Sequence, residues 1–288
     1  MKKITIISGK GGTGKTGVSA SFAALARNKI MVDCDVDAAD LHLILHPRVR
    51  ERHEFSGGSS AAVDKGICVR CGKCLSVCRF SAVSPDFDIE GFSCEGCGLC
   101  ARLCPSGAIR MVKNVSGEWF VSDTAYGPLV HARLGAAEEN SGKLVSKIRE
   151  RAEEMAQKEG FDYVIADGPP GIGCPVIASL SGADLALIVT EPTLSGLHDA
   201  ARVIKTAKQL KVPLRLAVNK YDLNPSMSEE IERYCSGESV PLCAKIPFDR
   251  RVVESVLEGK PAAELTGCAA AEEIRRIWHE LETTLRGG

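Results

Sequence analysis

Short apolar runs alternate with amphipathic stretches over most of this chain. The apolar runs are typical of buried strands and end in polar or turn residues, at residues 2–8, 29–35, 161–168, 183–192, 214–222 and 242–247. Helical spacing of small and apolar residues occurs over 14–28, 141–160 and 196–211. This alternation predicts an α/β fold with a doubly wound, mostly parallel sheet, which binds ligands at the C-terminal ends of its strands.

The alternation stops between about residues 47 and 135. That segment carries Gly and Ser, then a cysteine-rich stretch, then residues 117–129, whose pattern predicts a β-hairpin.

Near the C-terminus a helical stripe is formed by Ile274, Ile277, Trp278, Leu281 and Leu285. Its opposite face mixes Glu with Arg and lacks the basic surface of a membrane-binding helix, so we expect this helix to pack on the sheet.

Composition limits the partners, the compartment and the chemistry that this chain can have. The chain has 288 residues and a formal net charge of -1, which gives no indication of a nucleic-acid or membrane partner. No apolar run approaches the length of a membrane span, and we expect a cytoplasmic protein. Thirteen cysteines in a reducing compartment indicate metal or redox chemistry rather than disulfides.

A phosphate-binding loop is predicted by Gly9-x-x-x-x-Gly14-Lys15-Thr16, between a strand and a helix. Backbone N–H groups of such a loop point at phosphates, the lysine meets the β and γ oxygens, and the hydroxyl holds Mg²⁺. Asp167, at the end of another apolar run, fits the second Mg²⁺ ligand.

The run Lys10 to Thr16 contains a second lysine and resembles the deviant P-loop of the MinD/ParA/Mrp and nitrogenase iron protein superfamily. That resemblance implies an ATPase that dimerises across its nucleotide, as a homodimer or with a paralogue. It implies that Lys10 reaches the partner's nucleotide and stabilises charge on the phosphates. The implied nucleotide-binding residues are Gly9, Lys10, Gly11, Gly12, Thr13, Gly14, Lys15, Thr16, Gly17 and Asn219.

The same resemblance assigns two switch segments. In the first, Asp35 orients the attacking water, and Lys10, Lys15 and Asp35 are the catalytic residues. Three further carboxylates are candidates for metal or structural partners: Asp33, Asp37 and Asp40. Residues 167–173 match the second switch.

Residues 219–222, Asn-Lys-Tyr-Asp, lie where the family binds its purine. In another P-loop class, Asn-Lys-x-Asp recognises guanine, so GTP is an alternative to ATP. The deviant loop favours ATP with Mg²⁺ as the ligand.

Eight cysteines fall in two runs of the form Cys-x-x-Cys-x-x-Cys-x-x-x-Cys, offset by 26 residues. This spacing is typical of bacterial ferredoxins with two clusters, in which the fourth cysteine of each run ligates the other cluster. The resemblance implies two [4Fe–4S] clusters, one held by Cys68, Cys71, Cys74 and Cys104 and the other by Cys78, Cys94, Cys97 and Cys100. Zinc is the alternative, although its sites present paired Cys-x-x-Cys knuckles.

Five cysteines and one arginine remain. Cys174 lies in the second switch, where the nitrogenase iron protein has a cluster ligand, but residues 112–160 offer no second cysteine, and we expect Cys174 to be a small buried residue. We expect packing roles for the others, Cys34, Cys235, Cys243 and Cys268. Arg79 replaces the proline that usually follows such a run. It is interpreted either as a charge that raises the cluster potential or as an exposed turn residue.

Together these features resemble a MinD-superfamily ATPase, of the CobQ/CobB/MinD/ParA nucleotide-binding fold, with an inserted ferredoxin. The predicted domains are an ATPase of residues 1–58 plus 112–288 and a small α+β ferredoxin of residues 59–111. Electron transfer through the clusters, controlled by ATP, is the favoured function, with an unidentified redox partner. A carrier that delivers clusters to apo-proteins, as in the Mrp branch, is the alternative, and a spatial regulator of the MinD type is a third.

Overall fold

The computed structural model describes residues 1–135 and 140–287. Residues 136–139 and 288 of the predicted ATPase domain lie outside that description. The chain divides into two compact units. Unit 1 comprises Met1–His53, Trp119–Arg133 and Ser141–Gly288, and unit 2 comprises Glu54–Glu118 and Leu134–Asn140.

The strands and helices follow the predicted alternation. Strands of the described residues are β1 Lys2–Ser8, β2 Lys29–Asp33, β3 Arg48–Phe55, β4 Gly58–Val63, β5 Ile109–Asn114, β6 Gly117–Thr124, β7 Gly127–Leu134, β8 Tyr163–Pro170, β9 Leu185–Thr190, β10 Leu214–Asn219 and β11 Leu242–Ile246. The α-helices are α1 Lys15–Leu25, α2 Leu41–Leu45, α3 Lys73–Val77, α4 Leu99–Leu103, α5 Ser141–Glu159, α6 Cys174–Leu180, α7 Leu194–Gln209, α8 Pro225–Gly237, α9 Arg250–Leu257 and α10 Ala269–Arg286.

The central sheet has the strand order β11-β10-β9-β1-β8-β2-β7-β6-β3 within the described ranges. Parallel pairing joins β11 to β10, β10 to β9, β9 to β1, β1 to β8, β8 to β2 and β2 to β7. The prediction of an α/β fold with a mostly parallel sheet is therefore confirmed.

Apolar side chains of the sheet supply two separate cores. Along β1, Ile4 and Ile6 pack into a core shared with α1 and α10, whereas Ile7 packs into another shared with α6, α7 and α8. Since successive residues of a strand point to opposite faces, one apolar strand contributes side chains to the cores on both faces of the sheet. Helices on both faces make the sheet doubly wound, as the sequence predicted.

Residues 117–129 form the predicted hairpin, in which β6 and β7 are separated by two residues. The strand β3, at the edge of the sheet, was not predicted. Its sequence is rich in Arg and Glu, and seven of its eight residues are at least partly exposed. Charged side chains are common on edge strands, where they hinder pairing with other chains, and they remove the apolar pattern by which a strand is recognised.

The stripe on α10 packs as expected, because Ile274, Ile277, Trp278, Leu281 and Leu285 are all buried in the core. Trp278 lies against Phe22, with ring centroids 5.2 Å apart, and against Tyr163 at 5.5 Å. Four cysteines expected to pack in the interior are also buried: Cys34, Cys235, Cys243 and Cys268. Over the described residues, no helix is long and apolar enough to span a membrane.

Unit 2 contains an antiparallel pair, β4 and β5, with Gly58 opposite Asn114 and Val63 opposite Ile109. The short helices α3 and α4 belong to the same unit. Its buried apolar cluster consists of Ala61, Cys74, Val83 and Ile109. Such a cluster is small for a segment of this length, so unit 2 depends on further interactions for its stability.

Replacing Trp278 by alanine tests the packing of α10. The substitution removes a buried ring between two aromatic neighbours, and we expect the free energy of unfolding to fall by about 3–5 kcal/mol. Chemical denaturation followed by circular dichroism measures the change. His279, exposed on the same helix, provides the control, and its alanine variant should lie within about 0.5 kcal/mol of the unchanged protein. Equal losses in both variants would contradict the packing described here.

Candidate functional site

The phosphate-binding loop connects β1 to α1 at the C-terminal edge of the sheet. Gly12 and Gly14 have positive φ values of 81° and 89°. Gly14 precedes the first residue of α1 and lies against the side chain of Asn219, so a side chain here would be both strained and obstructed. At Gly9, which has no positive φ, a side chain would collide with the backbone of Asp199 in α7. These glycines let the loop curl tightly at the N-terminus of α1, where its dipole favours anions.

Lys15 and Asp167 form a buried ion pair at the base of the loop. The Nζ atom of Lys15 lies 2.8 Å from Oδ1 of Asp167, and the two side chains are 7% and 1% exposed. Ser19, one turn along α1, donates a hydrogen bond of 2.6 Å to the same carboxylate oxygen. Burial lowers the pKa of Lys15, but the neighbouring carboxylates, Asp167 first, outweigh burial and raise it. The lysine is therefore cationic and held beside the two predicted Mg²⁺ ligands, Thr16 and Asp167.

Asp33 lies next to Asp167, because β2 and β8 pair in the register that places them opposite each other. It is fully buried and accepts hydrogen bonds from the backbone N–H groups of Asp35, at 3.1 Å, and Leu41, at 3.3 Å. Burial, reinforced by the charge of Asp167, raises the pKa of Asp33. These hydrogen bonds tie Asp33 to the segment that carries Asp35.

Asp35 is partly buried and lines the cavity above the loop, as does Asp40. Burial raises its pKa to about 6, although the charge of Lys15 opposes this shift. Asp37 is exposed. A carboxylate that is ionised near neutral pH and faces the phosphate loop is suited to orient a water molecule.

Lys10 makes its contacts within its own chain. Its Nζ atom lies 2.7 Å from Oε1 of Glu191 and donates to the hydroxyls of Thr193, at 3.2 Å, and Ser195, at 2.9 Å. All three partners follow β9 and belong to the loop that opens α7 and to its first turn.

The segment 219–222 supports the phosphate loop. Asn219 donates a 2.8 Å hydrogen bond to the carbonyl of Thr13, and Lys220 donates one of 3.0 Å to the carbonyl of Gly12. Asp222 accepts a 2.7 Å hydrogen bond from the backbone N–H of Phe248. Its carboxylate is therefore already bound to the protein backbone.

A cavity of about 500 Å³ adjoins the loop, within the range of small-molecule sites. Its polar wall includes residues 11–17, Asp35 and Asn219, and its apolar wall includes Pro247, Phe248 and Val256. The hydroxyl of Thr13 is buried and has no hydrogen-bond partner in the described part of the protein. An orphaned hydroxyl in a turn of this shape fits a bound phosphate group, and the apolar wall fits a base.

Two further cavities lie in unit 2, and each is lined by four cysteines. Cys68, Cys71, Cys74 and Cys104 line the first, together with Arg70 and Lys73. Cys78, Cys94, Cys97 and Cys100 line the second, together with Phe80 and Glu95. All eight are free thiols. The fourth cysteine of each run therefore lines the cavity of the other run.

The local backbone repeats with the cysteine spacing. The helices α3 and α4 begin 26 residues apart and each follows a glycine with positive φ, Gly72 and Gly98. Two thiols of the second cavity accept backbone hydrogen bonds, Cys78 from Ala82 at 3.3 Å and Cys94 from Ala61 at 3.5 Å. Donors of this kind stabilise thiolate ligands of iron–sulfur clusters.

In residues 1–135 and 140–287, no group of three or more His, Cys, Asp or Glu side chains is placed to hold a metal ion. Two kinds of metal site differ in this respect. A zinc site needs four ligands around one point, whereas a [4Fe–4S] cluster is held by one thiolate at each corner.

The expectation for Cys174 was wrong, because its side chain is exposed. It opens α6, whose buried residues are Val176, Ser179 and Leu180. These face the sheet, and Cys174 lies outside that stripe. Arg79 is also exposed.

Sequence reasoning missed Ser19 and Glu191 as residues of the site, and it assigned Lys220 to the purine segment without predicting its hydrogen bond to the phosphate loop. Ser19 lies four residues after Lys15 on a helix, a spacing that places both on one face and was available from the sequence. Glu191 and Lys220 reach the loop from separate strands, and the sequence contained no signal for their meeting.

The comparisons with known proteins agree with this geometry. Residues 4–262 match the model of the CobQ/CobB/MinD/ParA nucleotide binding domain family. An uncharacterized protein of Methanocaldococcus jannaschii, MJ0578, is 38% identical over 225 residues, which cover 77% of this chain and 79% of that protein.

Solved structures of the cell division ATPase MinD share the fold. MinD of Pyrococcus furiosus matches with a TM-score of 0.60 and 21% identity, over 98% of this chain and 99% of that one. MinD of Pyrococcus horikoshii, complexed with Mg-ADP, matches with a TM-score of 0.60 and 18% identity, over 99% and 97%. The family match spans most of the chain and includes the phosphate-binding loop, and the chain therefore belongs to the CobQ/CobB/MinD/ParA nucleotide-binding family.

Proposed function

We propose that this protein binds and hydrolyses ATP and that its nucleotide state and dimerisation control electron transfer through two [4Fe–4S] clusters. The observation that carries the proposal is the division of eight cysteines between two cavities of unit 2, four to each, in the sets that the spacing predicts. The ATPase is assigned to residues 1–58 plus 112–288 and the inserted ferredoxin to residues 59–111.

ATP with Mg²⁺ binds at the phosphate loop in this proposal. Lys15 leaves Asp167 and meets the β and γ phosphates, while Thr16 and Asp167 hold the metal ion. Exchange of partners is favourable because phosphate and Mg²⁺ replace the two charges of the buried pair. Asp35 then orients the attacking water. The solved MinD structure with Mg-ADP supports this choice of ligand.

ATP is favoured over GTP by the segment 219–222. Recognition of guanine by Asn-Lys-x-Asp requires a free aspartate, whereas Asp222 accepts the backbone N–H of Phe248. Asn219 supports Thr13 through a hydrogen bond.

The clusters supply one-electron redox chemistry when they are bound. The protein contributes eight thiolate ligands and backbone donors to Cys78 and Cys94. The first cavity is lined by basic side chains and the second by an acidic one. Since unit 2 has a small apolar core, the clusters also stabilise its fold. Four cysteine ligands per cluster favour permanent redox centres over a transferable cluster.

The chain order supports coupling between the two units. Unit 2 begins after Asp35 and the main chain returns to unit 1 before Asp167. The chain crosses between the units four times, always after Asp35 and before Asp167. Asp35 lines the cavity beside the phosphate loop and Asp167 binds Lys15 of that loop, so a rearrangement on hydrolysis acts on the chain segments that lead into and out of unit 2.

Cluster loading tests the two ligand sets separately. Cys71→Ser and Cys97→Ser each remove one exposed ligand from one set. We expect each variant, purified without oxygen, to fall from about eight to about four irons per chain. Iron analysis and EPR spectroscopy give the measurement, and Cys174→Ser should keep the full content. Zinc in place of iron, or equal loading of all three variants, would contradict the assignment.

Dimerisation tests the role of Lys10. We expect Lys10→Ala to lose both ATP-dependent dimers and at least tenfold in ATPase rate, because a cation supplied across a dimer stabilises charge on the phosphates (typically about 10³–10⁵ in rate). Analytical ultracentrifugation with Mg²⁺ and a non-hydrolysable ATP analogue measures the dimer. Lys205→Ala, exposed on α7, serves as the control. Dimers of unchanged strength in Lys10→Ala would remove Lys10 from this role.

Coupling itself is tested by an anaerobic EPR titration of the cluster potentials, with ADP and then with the ATP analogue. We expect the two nucleotides to give different potentials, because the phosphate loop and the connections to unit 2 rearrange together. The Lys15→Ala variant should show no difference. Identical potentials in the unchanged protein would favour the alternative function, delivery of clusters to apo-proteins, which transfer of labelled iron to an apo-acceptor would then demonstrate.

A further inference from the structure

Glu191 occupies a central position beside the phosphate loop, although no motif includes it. Its side chain is 18% exposed and contacts two lysines, Lys10 through Oε1 at 2.7 Å and Lys220 through Oε2 at 3.3 Å. Burial raises the pKa of Glu191, but the hydrogen bond and charge of Lys10, followed by Lys220, outweigh it and hold the pKa below its ordinary value. The carboxylate is therefore ionised at neutral pH.

The ammonium group of Lys10 has no donor to spare in this arrangement. A lysine has three N–H donors, and Lys10 has three partners, Glu191, Thr193 and Ser195. All three lie on one short segment after β9. To reach a nucleotide bound by a partner subunit, Lys10 has to leave the whole set.

We infer that Glu191 is a positioning residue that holds Lys10 against its own subunit and so restrains nucleotide-dependent dimerisation. The inference rests on the proposed function, in which Lys10 acts across the dimer. In the single subunit Glu191 stabilises the bound position of Lys10, which the lysine has to leave before it can act across the dimer. The restraint acts before hydrolysis, on the equilibrium between single subunits and the closed dimer.

Lys220 makes the release reversible. It remains bound to Glu191 and also donates to the carbonyl of Gly12 in the phosphate loop. When Lys10 departs, the carboxylate keeps one cationic partner and is not left as an unpaired charge. Because the pair of Lys10 and Glu191 is partly exposed, its loss shifts an equilibrium by a factor of about two to five.

The test compares the dimer dissociation constants of Glu191 variants by analytical ultracentrifugation, with Mg²⁺ and a non-hydrolysable ATP analogue. We expect Glu191→Gln to lower the constant about threefold. Glu191→Asp, which keeps the charge, should lie closer to the unchanged protein. The control is Glu232→Gln, which removes a more exposed ion pair with Lys245, and it should have no effect.

Two further measurements separate a role in positioning Lys10 from a structural one. In a protein that already carries Lys10→Ala, adding Glu191→Gln should not strengthen dimerisation. Without nucleotide, an amine-reactive label read by mass spectrometry should modify Lys10 faster in Glu191→Gln than in the unchanged protein, with Lys205 as the internal reference.

The outcomes distinguish this inference from the proposed function. If the unchanged protein dimerises through Lys10 and Glu191→Gln dimerises equally or more weakly, the restraint alone is wrong. If the unchanged protein does not dimerise with the ATP analogue, or if Lys10→Ala dimerises normally, the role of Lys10 across the dimer fails and the restraint fails with it.

Discussion

The phosphate-binding loop and the strand ends around it depend on the buried ion pair between Lys15 and Asp167. Its two charges come from different strand ends, and both side chains are almost completely removed from water. A charge so deeply buried is tolerated only with a partner. The pair therefore fixes the start of α1 against the end of β8, and the parallel pairing of β1 with β8 holds the two in register.

Around this pair, backbone and side chains form a support that leaves the inner surface of the phosphate loop open. Asn219 and Lys220 bind its carbonyls from outside, and Asp33 binds the segment of Asp35. The hydroxyl of Thr13 has no hydrogen-bond partner among the described residues, which agrees with membership of a nucleotide-binding family.

Unit 2 differs from unit 1 in its core and in its repeated local structure. Its apolar core is small, and its most regular feature is the repeat of glycine, short helix and cysteine at an offset of 26 residues. Repetition of that kind brings the fourth cysteine of each run to the other run's cavity. The proposal of two iron–sulfur clusters depends on this exchange, which two independent knuckles would not produce.

The order of strands and helices and the phosphate loop could be predicted from the sequence, whereas the two ligand sets of cysteines stay a prediction. Each depends on residues close together in the chain, whose spacing is set by strand, helix or turn geometry. Prediction failed for β3, where charges on an edge strand remove the apolar pattern, and for Cys174, whose exposure depends on which face of α6 meets the sheet.

Only the tertiary structure decided which distant side chains meet. Glu191 and Lys220 contact the phosphate loop, about two hundred residues away in sequence, because parallel strands bring their C-terminal ends to one edge of the sheet. Local pattern contains no information on such meetings. The sequence by itself determined that a phosphate loop exists and that eight cysteines fall in two runs of one spacing, whereas the register of β1, β8, β9 and β10 determined which charges surround that loop.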